Sequence, residues 1–147
     1  EGHGMAVVTY NRGADRIMEC ALTSAALDLR CALVLGSTTG VIDQDLDTVA
    51  DIDALSGVSL HSERIAATGE ASTQDDTNNR ANVDMGDFVF APSVGVTALG
   101  AVVYDETTGA DSGRELVWGM TFAVAQPIDG GFTLGIADLL RVATATD

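Results

Sequence analysis

The chain has 147 residues, with 22 acidic residues against seven basic ones and a formal net charge of −15. A hydrophobic share of 46% suits one folded domain rather than a disordered chain. No apolar run approaches the roughly 20 residues of a membrane span, and the acidic balance argues against nucleic-acid binding, which calls for a basic surface. The bases are Arg12, Arg16, Arg30, Arg64, Arg80, Arg114 and Arg141, with no lysine. Codon bias in a GC-rich genome and adaptation to high salt both account for such a composition. No basic stretch leading into an apolar run opens the chain, so no secretory signal is expected. Glu1-Gly2-His3-Gly4 reads as a cloning remnant ahead of a native Met5. That leaves residues 5–147 as a single β-rich domain.

Ala6 to Tyr10 is β-prone and, with Met5, reads as an extended N-terminal arm (5–10). Asn11 to Leu22 places Ile17, Cys20 and Ala21 at i, i+3 and i+4, the apolar stripe of a short helix. Asn11 is its candidate cap and Asp15 suits its dipole. Leu29 to Leu35 is a compact apolar run ended by Gly36-Ser37, and its length predicts a buried strand. Val41 to Leu55, with aspartates at 43, 45, 47, 51 and 53, reads mostly as loop with a turn or two of helix. From Ser56 onward strand and turn alternate. Val58, Leu60 and Ile65 precede the turn signal Asp75-Asp76-Thr77-Asn78-Asn79. Further strands are predicted over Ala81 to Met85, Phe88 to Phe90, Val96 to Tyr104, Glu115 to Val124, Phe132 to Ile136 and Leu139 to Thr144. With no long interior helix for a parallel crossover, the pattern predicts a mainly β fold, an antiparallel β-sandwich or barrel with one short N-terminal helix.

The candidate chemistry is thin. A calcium-binding EF-hand loop starting at Asp43 would need Gly at its sixth position and Glu at its twelfth, where this chain has Thr48 and Ala54. The run of aspartates then reads as a solvated acidic loop, with a looser cation site open. Cys20, Cys31 and His61 fall short of the four ligands of a structural zinc site. Two buried free thiols are expected, a Cys20–Cys31 disulfide being open arithmetically. His61 in Gly57-Val58-Ser59-Leu60-His61 does not complete a nucleophile elbow, and it reads as a surface histidine. Gly36-Ser37-Thr38-Thr39-Gly40 lacks the lysine of a phosphate loop. A glycosidase-like carboxylate pair stays open by count, but aromatics are only 5%, little stacking surface for a sugar, and Trp118 reads as core. No catalytic residue, metal or cofactor is expected.

Met5-Ala6-Val7-Val8-Thr9-Tyr10-Asn11-Arg12-Gly13-Ala14-Asp15-Arg16-Ile17-Met18 resembles the opening of a family of small virion structural proteins of tailed phages, with its T-Y-N-R-G-x-D-R-I start. The resemblance continues through Leu29 to Leu35, Ala50 to Gly57, Asp75 to Ala81, Ala101 to Gly109 and Gly130 to Ile136. It departs from the family over Ser59 to Ala71, which lacks a glycine-rich tail, and in having no lysines. The resemblance implies a virion component rather than an enzyme. The expected function is that of a capsid decoration or cement protein that binds the outside of the head and stabilises it. The major capsid protein or other virion subunits would be its partners, and it would act as a homotrimer or as a monomer until it meets the shell. A tail or head–tail component is the alternative, and a carbohydrate-binding or hydrolytic module the lesser one. No membrane or nucleic-acid partner is expected, and the expected location is the virion. The arm suits strand addition to a partner's sheet. Val7, Val8, Thr9 and Tyr10 are therefore candidate contacts, with Arg12 and Arg16, one helical turn apart, as candidates for pairing with shell carboxylates.

Overall fold

The computed structural model describes residues 6–16, 28–69, 71–77, 80–106, 110–136 and 140–143. The strands are β1 (Ala6–Thr9), β2 (Leu29–Leu35), β3 (Ser59–Leu60), β4 (Ile65–Ala66), β5 (Ala71–Asp75), β6 (Arg80–Asp84), β7 (Phe88–Phe90), β8 (Thr97–Asp105), β9 (Glu115–Pro127), β10 (Phe132–Leu134) and β11 (Leu140–Ala143). Residues 11–16 are helical (α1), and a second helix, α2, spans Val49–Asp53. The chain is thus mainly β, as expected, with a short N-terminal helix and one further turn of helix inside the acidic loop.

The main sheet is antiparallel throughout and runs β1-β9-β8-β2-β3, with β4 pairing the other end of β2. Among the described residues it is an open sheet, not closed into a barrel. Smaller antiparallel sheets are formed by β10-β7 and by β11-β6-β5. β5 and β6 pair antiparallel, Asp75 with Arg80, on either side of the predicted turn, whose Asn78 and Asn79 lie outside the described residues.

Apolar residues on consecutive positions of β2 explain why the sheet is covered on both sides. Leu29, Cys31 and Leu33 enter one core with Phe88, Phe90, Trp118, Ile128 and Leu134. Ala32 and Val34 enter a second core with Tyr10, Val41, Val49, Ile52 and Tyr104. Successive strand side chains point to opposite faces, so a strand apolar on both faces, as Cys31 to Leu35 is, has to be buried twice. The first face is covered by β7 and β10, the second by the start of α1 and by the loop that carries α2.

Two irregularities in the β8–β9 ladder shape the surroundings of β1 and α1. Val103 pairs Trp118 but Tyr104 pairs Leu116, so Val117 is an extra residue in β9. Nearer the other end, Gly100 pairs Thr121 and Ala98 pairs Gln126, so residues 122–125 of β9 loop out opposite Leu99. Bulges of this kind bend a strand and interrupt its pairing.

Candidate functional site

The arm is not free. Ala6 to Thr9 pair in register with Thr121 to Trp118 and form the edge strand of the main sheet. Tyr10 is fully buried, and its hydroxyl donates to the Val41 carbonyl at 2.7 Å. Burial pushes the phenol far above its ordinary range, with Asp43 adding to the shift. The expectation that Tyr10 contacts a partner is therefore corrected: it anchors the second core. Gly119 faces it because a Cβ there would sit 2.6 Å from the Tyr10 hydroxyl.

The residues after Tyr10 hold the chain to itself. The Tyr10 amide donates to the Val117 carbonyl, and the Tyr10 carbonyl accepts the first helical bond from Ala14. Tyr10, not Asn11, therefore sits at the cap position of α1. The Asn11 side chain instead donates to Asp45 at 3.0 Å. Arg12 lies near Asp47 and Glu115 at 3.9 and 3.6 Å, loose pairs at the surface. Arg16 donates from Nε to Asp105 at 3.0 Å, and Asp105 is only 2% exposed. Asp105 also accepts from the Asp28 amide. Arg16 is thus committed to a buried carboxylate of its own chain and is corrected as a partner contact. Arg12 stays half-exposed. The remainder of the predicted helix, with Ile17, Cys20 and Ala21, lies outside the described residues.

A polar cluster that the sequence reading missed lies where β8 ends. The Tyr104 ring has the guanidinium carbons of Arg64 and Arg114 at 5.7 and 5.8 Å from its centroid. Its hydroxyl accepts from Arg64 at 3.3 Å and donates to Glu106 at 3.2 Å. Arg114 holds Glu106 at 2.6 Å and Asp111 at 2.5 Å. Asp111 in turn shares a hydrogen bond with Asp53 of α2. Burial first, then this contact with Asp111, raises the Asp53 carboxyl to about 6, against the opposing pull of Arg64 and Arg114. Asp111 is held below its ordinary value, chiefly by the same bond and then by Arg114. Below about pH 6 the proton between the two carboxyls is therefore held on Asp53. Two carboxyls in direct contact leave no room for a glycosidic oxygen, which needs them at least about 5 Å apart. The cluster ties α2 to the short 3-10 turn Asp111–Gly113. Its only sequence signals are isolated residues at 53, 64, 104, 106, 111 and 114, too dispersed to form a motif.

The sign of the Asp53 effect follows from its raised value. The folded chain binds this proton more tightly than the unfolded one, so its contribution to stability falls as pH rises from the ordinary carboxylate range through about 6. Asp111 contributes with opposite sign at lower pH. Asp53→Asn keeps a donor for Asp111 and removes the ionisation. It is expected to raise Tm at pH 8 and leave it unchanged at pH 5. Carbon-detected NMR of the wild type should give an Asp53 midpoint near 6, lowered by Asp111→Asn.

The other candidates have local roles. Asp51 accepts from the amides of Asp47 and Thr48 at the start of α2, and Asp43 accepts from the Asp45 amide. These carboxylates satisfy backbone donors, and among the described residues no three potential ligands converge on a metal position. The Glu63 amide donates to His61 Nδ1 at 3.0 Å. In the neutral ring the proton then sits on Nε2, which faces the Ser93 hydroxyl at 3.5 Å and cannot accept its proton. Cys31 is a buried free thiol, raised by burial alone, and Trp118 is a core residue. Cys20 lies outside the described residues.

Among the described residues, no strand pairs the outer edge of β1. The amides of Ala6 and Tyr10 point toward β9, the first to the Thr121 hydroxyl and the second to the Val117 carbonyl. Antiparallel alternation then turns the amides and carbonyls of Val7 and Thr9 outward. Val7 is 55% exposed. Beside this edge, the looped-out part of β9 and the neighbouring β10 form an apolar groove of about 350 Å³, lined by Met120, Phe122, Val124, Phe132 and Leu134. Neither Phe122 nor Phe132 is fully covered, and their rings meet at 5.5 Å. No family model matches the chain, and no curated protein or solved structure does so either.

Proposed function

We propose that this chain is a structural component of a tailed-phage virion. In this reading it is a capsid decoration protein that binds the outside of the head, with the major capsid protein as its partner and no catalytic step of its own. The open edge of β1 carries this reading. Among the described residues, the outward amides and carbonyls of Val7 and Thr9 have no neighbouring strand, the feature by which one chain adds a strand to another. Both faces of the main sheet are already covered by the chain's own residues. Such a domain is complete before it meets a partner, as a protein added to a finished shell has to be. The resemblance of residues 5–18 to a virion protein family supports the same reading. Many weak contacts repeated over a shell lattice add up to strong retention.

Immunogold labelling of the parent particle tests the reading. Gold over the head is the expected result, whereas gold along the tail or on no intact particle overturns it. A variant refines the test. Val7→Pro deletes an outward amide without removing a bond to β9, and proline is tolerated on edge strands. It is expected to leave the melting curve close to wild type and to weaken head binding about tenfold, the loss of one well-placed hydrogen bond.

A further inference from the structure

We infer that the segment received at this edge is an extended strand of alternating apolar residues with basic residues at its flanks, its backbone on β1 and an apolar side chain in the adjoining groove. The inference rests on the edge-docking reading above and adds the partner's chemistry. Val8 packs into the second core, so strand alternation turns Val7 to the opposite face, where its cross-strand partner is Met120. Met120 is the first residue of the groove, which continues through Phe122 and Val124 to Phe132 and Leu134. Open backbone and apolar pocket are therefore contiguous, and a strand added to β1 presents alternate side chains toward the groove. Its one amide-bearing lining residue, Gln126, donates that amide to the Val124 carbonyl, so the surface offered is apolar. Val124 stands 69% exposed at its rim.

Charge selects among strands. A second copy of this chain also carries −15 and is repelled. Just past Leu134, Asp87 reaches the backbone of Gly135, where a Cβ would lie 3.0 Å from its carboxylate. Asp87 is exposed and has no ion-pair partner among the described residues. It adds a carboxylate at the Leu134 end of the groove to a chain that is acidic throughout, which favours basic over acidic flanks on an incoming strand.

The test uses the full chain, isotope-labelled, and a blocked seven-residue peptide alternating valine and phenylalanine with threonine, with an arginine at each end. Addition of this peptide is expected to shift the amides of Val7 and Thr9 together with the side chains of Met120 and Val124. A glutamate-ended version should bind at least tenfold more weakly, and Val124→Asp, at an exposed position, should abolish binding without changing the fold. Absence of these shifts at millimolar peptide, or equal binding of the two peptides, overturns the inference. Head binding separates it from the reading on which it rests. If wild type binds heads and Val124→Asp binds them equally, the groove inference falls and decoration stands. If wild type does not bind heads at all, decoration falls, and the peptide shifts alone judge the groove.

Discussion

Gly13→Ala is expected to lower stability by about 3 kcal/mol, the upper part of the usual range for overpacking. For a domain of this size that is roughly a 10 °C fall in Tm. Helix propensity alone predicts the opposite sign, because alanine is favoured over glycine in a helix interior by about 1 kcal/mol. The structure reverses it. Gly13 is buried in α1 where the helix rests against the extra residue of β9. A Cβ there would come closer than 3.0 Å to the Leu116 carbonyl oxygen and the Val117 Cα, both backbone atoms. Neither can rotate away, so the helix or the bulge has to move. Moving either strains the bond from the Tyr10 amide to the Val117 carbonyl. Thermal denaturation followed by circular dichroism decides the sign. A variant as stable as wild type would mean that α1 does not rest on the bulge.

Arg16→Met is expected to cost about 3–5 kcal/mol, because it leaves a buried carboxylate without its cation. Arg16 and Asp105 are 89 positions apart and join α1 to the end of β8. At 2% exposure, Asp105 has almost no access to water to replace the guanidinium. Replacing both partners with apolar residues, Arg16→Met with Asp105→Leu, should recover much of the loss, since a buried pair exchanged for hydrophobic groups is often neutral. Urea denaturation of the two single variants and the double variant gives the coupling. Additive losses would overturn the assignment of the pair as one unit.

The N-terminal motif thus acts mostly within its own chain. Tyr10, Asn11, Arg12, Gly13 and Arg16 each make an internal contact: core anchor, loop hydrogen bond, surface ion pair, close helix–sheet approach and buried ion pair. In the sequence, two arginines one turn apart suggest a joint pairing with a partner's carboxylates. The fold divides them, leaving Arg12 at the surface and pairing Arg16 with a carboxylate remote in sequence. Asp53 and Asp111 follow the same rule, brought together only because α2 packs on the turn after β8.

Most of the strands are legible in local sequence, although β5 is not, and β9 runs three residues past its predicted end at Val124. The apolar run Leu29 to Leu35 coincides with β2, and the turn signal from Asp75 lies between two strands that pair with each other. Periodicity and turn chemistry are local properties, carried by neighbouring residues whatever the rest of the chain does. That locality also made the antiparallel β class legible, along with the place of α2 within the acidic loop. The bulge that receives Gly13, the partners of Arg16 and Asp53, the burial of Tyr10 and the groove beside β1 arise only on folding. Each depends on register between strands distant in sequence, and register is set by how both faces of the sheet are filled at once. A single extra residue in β9 lies where Gly13 comes into close contact, and a four-residue overhang at its other end borders an apolar groove. Neither has a local signature, because each is a mismatch between two strands rather than a property of either one.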